Sequence, residues 1–176
     1  MIIILLIILV LYILWLYNSL VKASNKVQQA YSGIDVYLTQ RFELIPNLVE
    51  CVKGYMIHEK EVLESITELR TKYFQTKSLK DGEILNSECN QILMDVEKYP
   101  ELQASEHFLD LQKNLQKMEN QLQAARRIYN AEVNIYNNKV YMFPSNIIAN
   151  LFGFKEKDYF EAEKDAKSNV NINIGE

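Results

Sequence analysis

Met1 to Tyr17, MIIILLIILVLYILWLY, holds no charged residue, and the first charge in the chain is Lys22. Nothing else in the sequence constrains the fold as much. With Leu20 and Val21 the run approaches the ~20 residues an α-helix needs to cross a ~30 Å hydrocarbon core. A helix inside a soluble core is seldom apolar on every face. Tyr12, Trp15 and Tyr17 gather at its C-terminal end, where aromatic rings favour the membrane interface.

A cleaved signal peptide would have a basic start and a small-residue cleavage site. No Lys or Arg precedes the run, and NSLVKASNK after it offers only a poor Ala-x-Ala-like site. Met1–Val21 therefore reads as an uncleaved anchor in contact with membrane lipid. Lys22 and Lys26 follow the span, so the positive-inside rule puts the body in the cytoplasm and the N-terminus outside, in a single-pass cell-membrane protein. The same side suits two cysteines, Cys51 and Cys89, that form no disulfide framework and fall on apolar helical positions as reduced thiols.

Beyond the anchor, 5 glycines and 3 prolines in 176 residues favour long helices over a turn-rich β fold. A net charge of −4 gives no electrostatic basis for binding nucleic acid.

Four amphipathic segments follow. Leu20, Val27, Tyr31, Ile34, Leu38 and Ile45 recur in steps of three and four, with Ser24 and Arg41 in the gaps. A second seam runs Leu48, Val52, Tyr55, Glu59, Val62, Ile66, Leu69, Tyr73, with Gly54 inside it as a point of close packing. After a polar link, TKSLKDGE, a third stripe has Leu85, Cys89, Ile92, Val96 and Tyr99, ended by Pro100. The fourth is the longest: Phe108, Leu115, Leu122, Tyr129, Tyr136 and Phe143 recur every seven residues, with Leu111, Met118 and Ala125 between them. Pro144 stops it. Ser145 is then placed to cap a short apolar segment, SNIIANLFGF, that Gly153 closes.

The fold expected is all-α: an N-terminal transmembrane helix followed by an antiparallel, up-down four-helix bundle with long helices. The division is 1–21 anchor, 22–154 bundle, and 155–176 a charged segment that starts as a helix and ends disordered.

Catalytic devices are hard to find. His58-Glu59-Lys60-Glu61-Val62 begins like the zinc motif H-E-x-x-H, but Val62 stands where the second histidine belongs. Di-iron bundles use Glu-x-x-His pairs, and Tyr55 and Ala104 stand three residues before His58 and His107. No phosphate-cradling glycine loop or nucleophile elbow is present. The expectation is a protein without a catalytic centre, metal or cofactor.

The polar residues that interrupt the seams have two readings. QRFELIPNLVECVKGY places Pro46 between two helical patterns, Arg41 at a core position, and Asn47, Glu50 and Lys53 just beyond. Together with Glu59 these residues make either a ligand pocket or a corner where Arg41 meets Glu50 or a neighbouring helix's carboxylate. Glu132, also near a seam, fits a register-fixing ion pair in the same way. Pro46 belongs either to the first turn of a new helix or to a kink in a continuous one. The candidate structural or interaction residues are Asp35, Arg41, Pro46, Asn47, Glu50, Lys53 and Tyr55, with Ser145, Asn146 and Phe152 in the short apolar segment. That segment either closes one end of the bundle or docks on a membrane or partner.

Three blocks carry a family resemblance: YSGIDVYLTQRFELIPNLVECVKGYMIHE, the long helix from YPELQ to NIYN, and FPSNIIANLFGFKEKDYFEAEKDAK. In that order they resemble the LemA family of bacterial membrane proteins. The resemblance implies one N-terminal transmembrane helix, a short outside tip and a cytoplasmic helical bundle. It supplies no catalytic residues to carry over. Tyr31 departs from a frequent tryptophan there. Related proteins are associated with two-component signalling and membrane-organelle formation, which implies a scaffold binding a protein partner or itself, with a sensor or small-ligand binder as the alternative.

Overall fold

The computed structural model describes residues 1–56 and 60–160, and among them there is no strand. Seven helices follow in order: α1 Ile2–Phe42, α2 Ile45–Val52, α3 Lys60–Thr76, α4 Leu79–Asp95, α5 Pro100–Gln103, α6 Glu106–Tyr141 and α7 Ser145–Phe152. A 3₁₀ turn, Val96–Lys98, joins α4 to α5. The fold is all-α. The chain divides into two compact units: Met1–Gln28 with the stretch from Arg127 on, and Gln29–Arg126. α1 and α6 each contribute to both.

In the Gln29–Arg126 unit the α1 seam is Ile34, Leu38 and Phe42, all buried, and it continues through Ile45, Leu48 and Val52 of α2. Glu43 and Leu44 interrupt the helix only briefly. Leu44 keeps right-handed helical dihedrals, and Pro46 sits in the first turn of α2, where its missing N–H costs nothing. The path is thus a single helix locally broken at the proline, and the chain turns later, at Lys53–Tyr55.

That later turn corrects the expected second seam. α2 ends at Val52, and across the turn Met56 and Leu63 are buried where Tyr55 and Val62 were expected, while Ile66 and Tyr73 are buried as expected. Gly54 lies in this turn with nothing near its Cα substituent position. The close packing is at Gly82 instead. A Cβ there would stand 3.0 Å from Leu38 Cδ1 and 3.1 Å from the Tyr73 ring. Gly82 is inside α4, so TKSLKDGE is mostly helix and the link shrinks to Lys77 and Ser78. Lys77 closes α3 with φ 50°, its N–H reaching Tyr73 O.

α3 runs antiparallel to α1: Arg70 Nε donates to Phe42 O at 2.9 Å, and Tyr73 OH to Asp35 Oδ1 at 2.5 Å. Tyr73 also stands edge-on to Phe42 at 4.9 Å. α4 returns with Leu85, Cys89 and Ile92 buried, and α6 adds Phe108, Leu115 and Leu122.

In the other unit, α1 is exposed on all sides through Tyr12, half-buried at Ile13 and first buried at Leu16, followed by Leu20, Ala23 and Val27. The gap in the sequence pattern is filled by Ala23, beside Ser24. α6 brings in Tyr129, Val133, Tyr136 and Val140. Its seven-residue pattern fails at the last member: Phe143 lies past the helix end and is exposed. Residues 154–160 are not helical, against the expectation of a charged helix. They form an extended strap lying along α6.

The strap's main chain is held by side chains of α6. Asn137 pairs with both polar groups of Lys157, its Nδ2 donating to the carbonyl and its Oδ1 accepting from the amide, each at 2.9 Å. Asn130 does the same for Phe160, at 3.0 and 2.8 Å. Tyr136 OH donates to Lys155 O and Tyr129 OH to Asp158 O. An extended strand would otherwise leave these groups without partners beside a helix whose own backbone is saturated. The pattern in sequence is Ile-Tyr-Asn, at 128–130 and again at 135–137.

Candidate functional site

Position 41 follows Leu38 by three, so the α1 seam carries Arg41 inward, and it is 1% exposed. A guanidinium has five N–H donors and no acceptor, and burying it uncompensated would be very costly. Here Nη1 donates to Glu119 of α6 and to Asn86 Oδ1 of α4, while Nη2 donates to Asn90 Oδ1 at 2.5 Å. Glu119 is supported further by Asn86 Nδ2 and Gln123 Nε2, each at 3.3 Å. Within this cluster, Arg41 Nε is a buried atom without a partner. Three helices are thus cross-linked by one side chain. Cys89 lies in the same layer, and burial pushes its thiol above the ordinary value, with Arg41 opposing and Glu119 reinforcing that shift.

The corner residues scatter from this cluster. Glu50 does not reach Arg41: it pairs with Lys53 on the surface at 2.8 Å, and that bond and charge hold its carboxyl below the usual range. Asn47, Glu50 and Cys51 line an open groove of about 610 Å³ with Leu44, Ser105, His107, Leu111 and Asn114. Tyr55 is exposed in the turn and Pro46 is exposed at the start of α2. Asp35 accepts from Tyr73, whose phenol burial pushes far up, the Asp35 bond adding to it. His58 and Glu59 lie outside the described residues, as does everything after Phe160. Glu132 belongs to the unit that lacks Arg41.

Around α7, Ser145 does not cap the helix. The N-cap position is Pro144, which follows a cis peptide bond, and Ser145 Oγ donates back to Met142 O at 2.9 Å. Asn146 is half-buried. Gly153, at φ 75°, ends the helix in the left-handed region. Phe152 meets Tyr17 of α1 with ring centres 4.8 Å apart, and Phe154 meets the same ring at 5.8 Å.

Glu119, Asn86 and Asn90 were not marked by the sequence. Their signal was present: Leu115, Glu119 and Leu122 keep the four-then-three step, while Met118 lies one position off the buried line. Asn86 and Asn90 stand one turn apart on α4.

The stretch that holds this cluster and the α7 end falls within a match to a known family. A model of the LemA family matches residues 30–174. The chain belongs to the LemA family. Protein LemA of Metamycoplasma hominis is 26% identical over 159 residues, covering 88% of this chain and 73% of that protein. Magnetosome protein MamQ 2 of Paramagnetospirillum magneticum is 23% identical over 175 residues, and MamQ of Magnetospirillum gryphiswaldense 22% over 174. The chain spans 64% of the length of each of these MamQ proteins. α1 contains a segment of mean hydropathy 2.6, long and apolar enough to cross a membrane. This LemA-family chain is a membrane-associated helical protein. Among its described residues no three His, Cys, Asp or Glu side chains group as a metal site would require.

Proposed function

We propose that this LemA-family protein is a membrane-anchored scaffold, single-pass, with its N-terminus outside and its helical body in the cytoplasm, and that α6 engages a partner helix or a second copy of the chain. The supporting observation is the Ile-Tyr-Asn repeat. Its tyrosines turn inward and its asparagines hold the strap, while Ile128 and Ile135 remain exposed seven residues apart. An exposed apolar residue every two turns is the spacing a partner helix packs against. The closed Arg41 cluster favours the same reading, since its donors are used to tie three helices together.

A photo-activatable benzophenone side chain at Ile135, irradiated in intact membranes, should give a discrete cross-linked species that Ile128→Asp removes. Monomer alone from Ile135 would count against the scaffold.

The groove lined by Asn47, Glu50, His107 and Asn114 supports a second reading, a sensor or small-ligand binder. A ligand that raises the melting temperature of the full chain in detergent, and loses its effect in His107→Ala but not in Phe152→Ala, would favour it. The family itself is not known for enzymes.

A further inference from the structure

We infer that α7 and its flanks, Tyr141–Phe154, are a second lipid-contacting element that lies in the membrane interface beside the anchor's exit.

The sequence from Tyr141 to Phe154, YMFPSNIIANLFGF, carries no charge, and lysines stand close on both sides, at Lys139 and Lys155. α7 carries apolar residues on both faces, with Asn150 exposed among those on the outer one. Ile148 and Ala149 turn inward and are buried, while Ile147 and Leu151, one turn apart, turn outward, Leu151 being 74% exposed. Met142 and Phe143 extend the same surface, Phe143 at 79%. A soluble helix normally turns polar residues to water. A contiguous exposed apolar patch of this kind marks a docking surface.

What covers it follows from where it sits on α1. The uncharged run continues to Val21, with Asn18 and Ser19 inside it, yet protein covers one side of the helix from Leu16 on. Those five steps amount to about 8 Å of helix. Over that length α1 is flanked by this element: Phe152 and Phe154 pack on Tyr17, and Lys139 Nζ reaches Ser19 Oγ at 2.5 Å. If the bilayer accommodates that run, it reaches the depth of α7 as well. That depth matches the roughly 5–10 Å by which interfacial helices sink into the headgroup–acyl boundary. Exposed Lys155 then adds attraction for anionic lipid. The surface is continuous with the anchor, so lipid is the occupant.

This inference builds on the anchor reading of α1, and one experiment separates the two. Trp15 is the only tryptophan in the chain. The full protein carrying Trp15→Phe with Leu151→Trp is reconstituted in phosphatidylcholine–phosphatidylglycerol vesicles whose acyl chains are brominated near the carbonyls. Most of its emission should be lost to the bromines, while aqueous iodide should quench it little. Phe143→Trp in the same background should repeat the result, and Met94→Trp, exposed on α4, should show the reverse. Iodide reaching positions 151 and 143 as freely as 94 would overturn the inference. So would shielding from iodide without bromine quenching, which would place protein on the patch. Trp15 of the native chain reports on the anchor: bromine quenching there with none at 151 removes only the α7 assignment, and none at either removes the anchor too.

Discussion

Arg41→Ala is the substitution that weighs most on the bundle. It deletes the one side chain bonded to α4 and α6 at once, and it leaves Glu119 with Asn86 and Gln123 as its remaining donors, both at 3.3 Å. Removing one partner of a buried ion pair costs about 3–5 kcal/mol, because the other charge stays buried without compensation. For a chain of this size that corresponds to a fall in melting temperature of roughly 6–20 °C. Glu119→Ala should cost a similar amount. The double replacement Arg41→Met/Glu119→Leu should recover most of the loss, since an apolar pair of similar volume is often neutral or better in such a site. The three variants and the parent make a double-mutant cycle, read by circular dichroism of the full chain in detergent under chemical and thermal denaturation. Lys53→Ala, which breaks only an exposed pair, is the reference. If Arg41→Ala melts no lower than Lys53→Ala, the guanidinium is not holding three helices together, and a ligand role for it must be reopened.

Gly82→Val should lower stability by about 1–3 kcal/mol, as overpacking against Leu38 and Tyr73 requires, whereas Gly54→Ala should stay within about 0.5 kcal/mol; equilibrium denaturation compares them. Asn137→Ala removes two main-chain bonds of the strap, about 1 kcal/mol each, and hydrogen exchange at the Lys157 amide should accelerate while exchange in α3 and α4 stays unchanged. Burial and the Asp35 bond raise the Tyr73 phenol above its ordinary value near 10, so the unfolded chain releases that proton first. Stability should therefore be intact below about pH 10 and decline above it, and Tyr73→Phe should flatten that alkaline decline in pH-dependent melting.

The anchor, the helical class and the long α6 were legible because each rests on a pattern repeated over many residues. The errors came where one local event breaks the pattern. Nothing in LVECVKGYM announces that the helix stops at Val52, and a continued 3.6-residue count then assigns Tyr55 and Val62 to the core in place of Met56 and Leu63. The close packing expected at Gly54 lies at Gly82 instead. Sequence shows where a side chain is missing, while only packing shows whether a neighbour occupies the space, and Leu38 and Tyr73 do so at Gly82. Arg41 was recognisable as a charge on a seam. Its partner was not, because Glu119 is 78 residues away and competes with the apolar Met118 beside it for the same seam position.

The strap's backbone is fastened by the two asparagines and the two tyrosines of the repeat. Some of its side chains add to that hold: Lys157 Nζ reaches Ser24 Oγ at 3.3 Å and lies over the Tyr136 ring, and Phe160 stands edge-on to Tyr129 at 5.0 Å. Lys155, Glu156 and Asp158 are exposed, and their charges are open to exchange without loosening the fastening. A related chain with other residues at these three positions would keep the same arrangement as long as its long helix carried Tyr-Asn twice, seven residues apart. The electrostatic character presented beside the anchor's exit is thus adjustable separately from the stability of the fold.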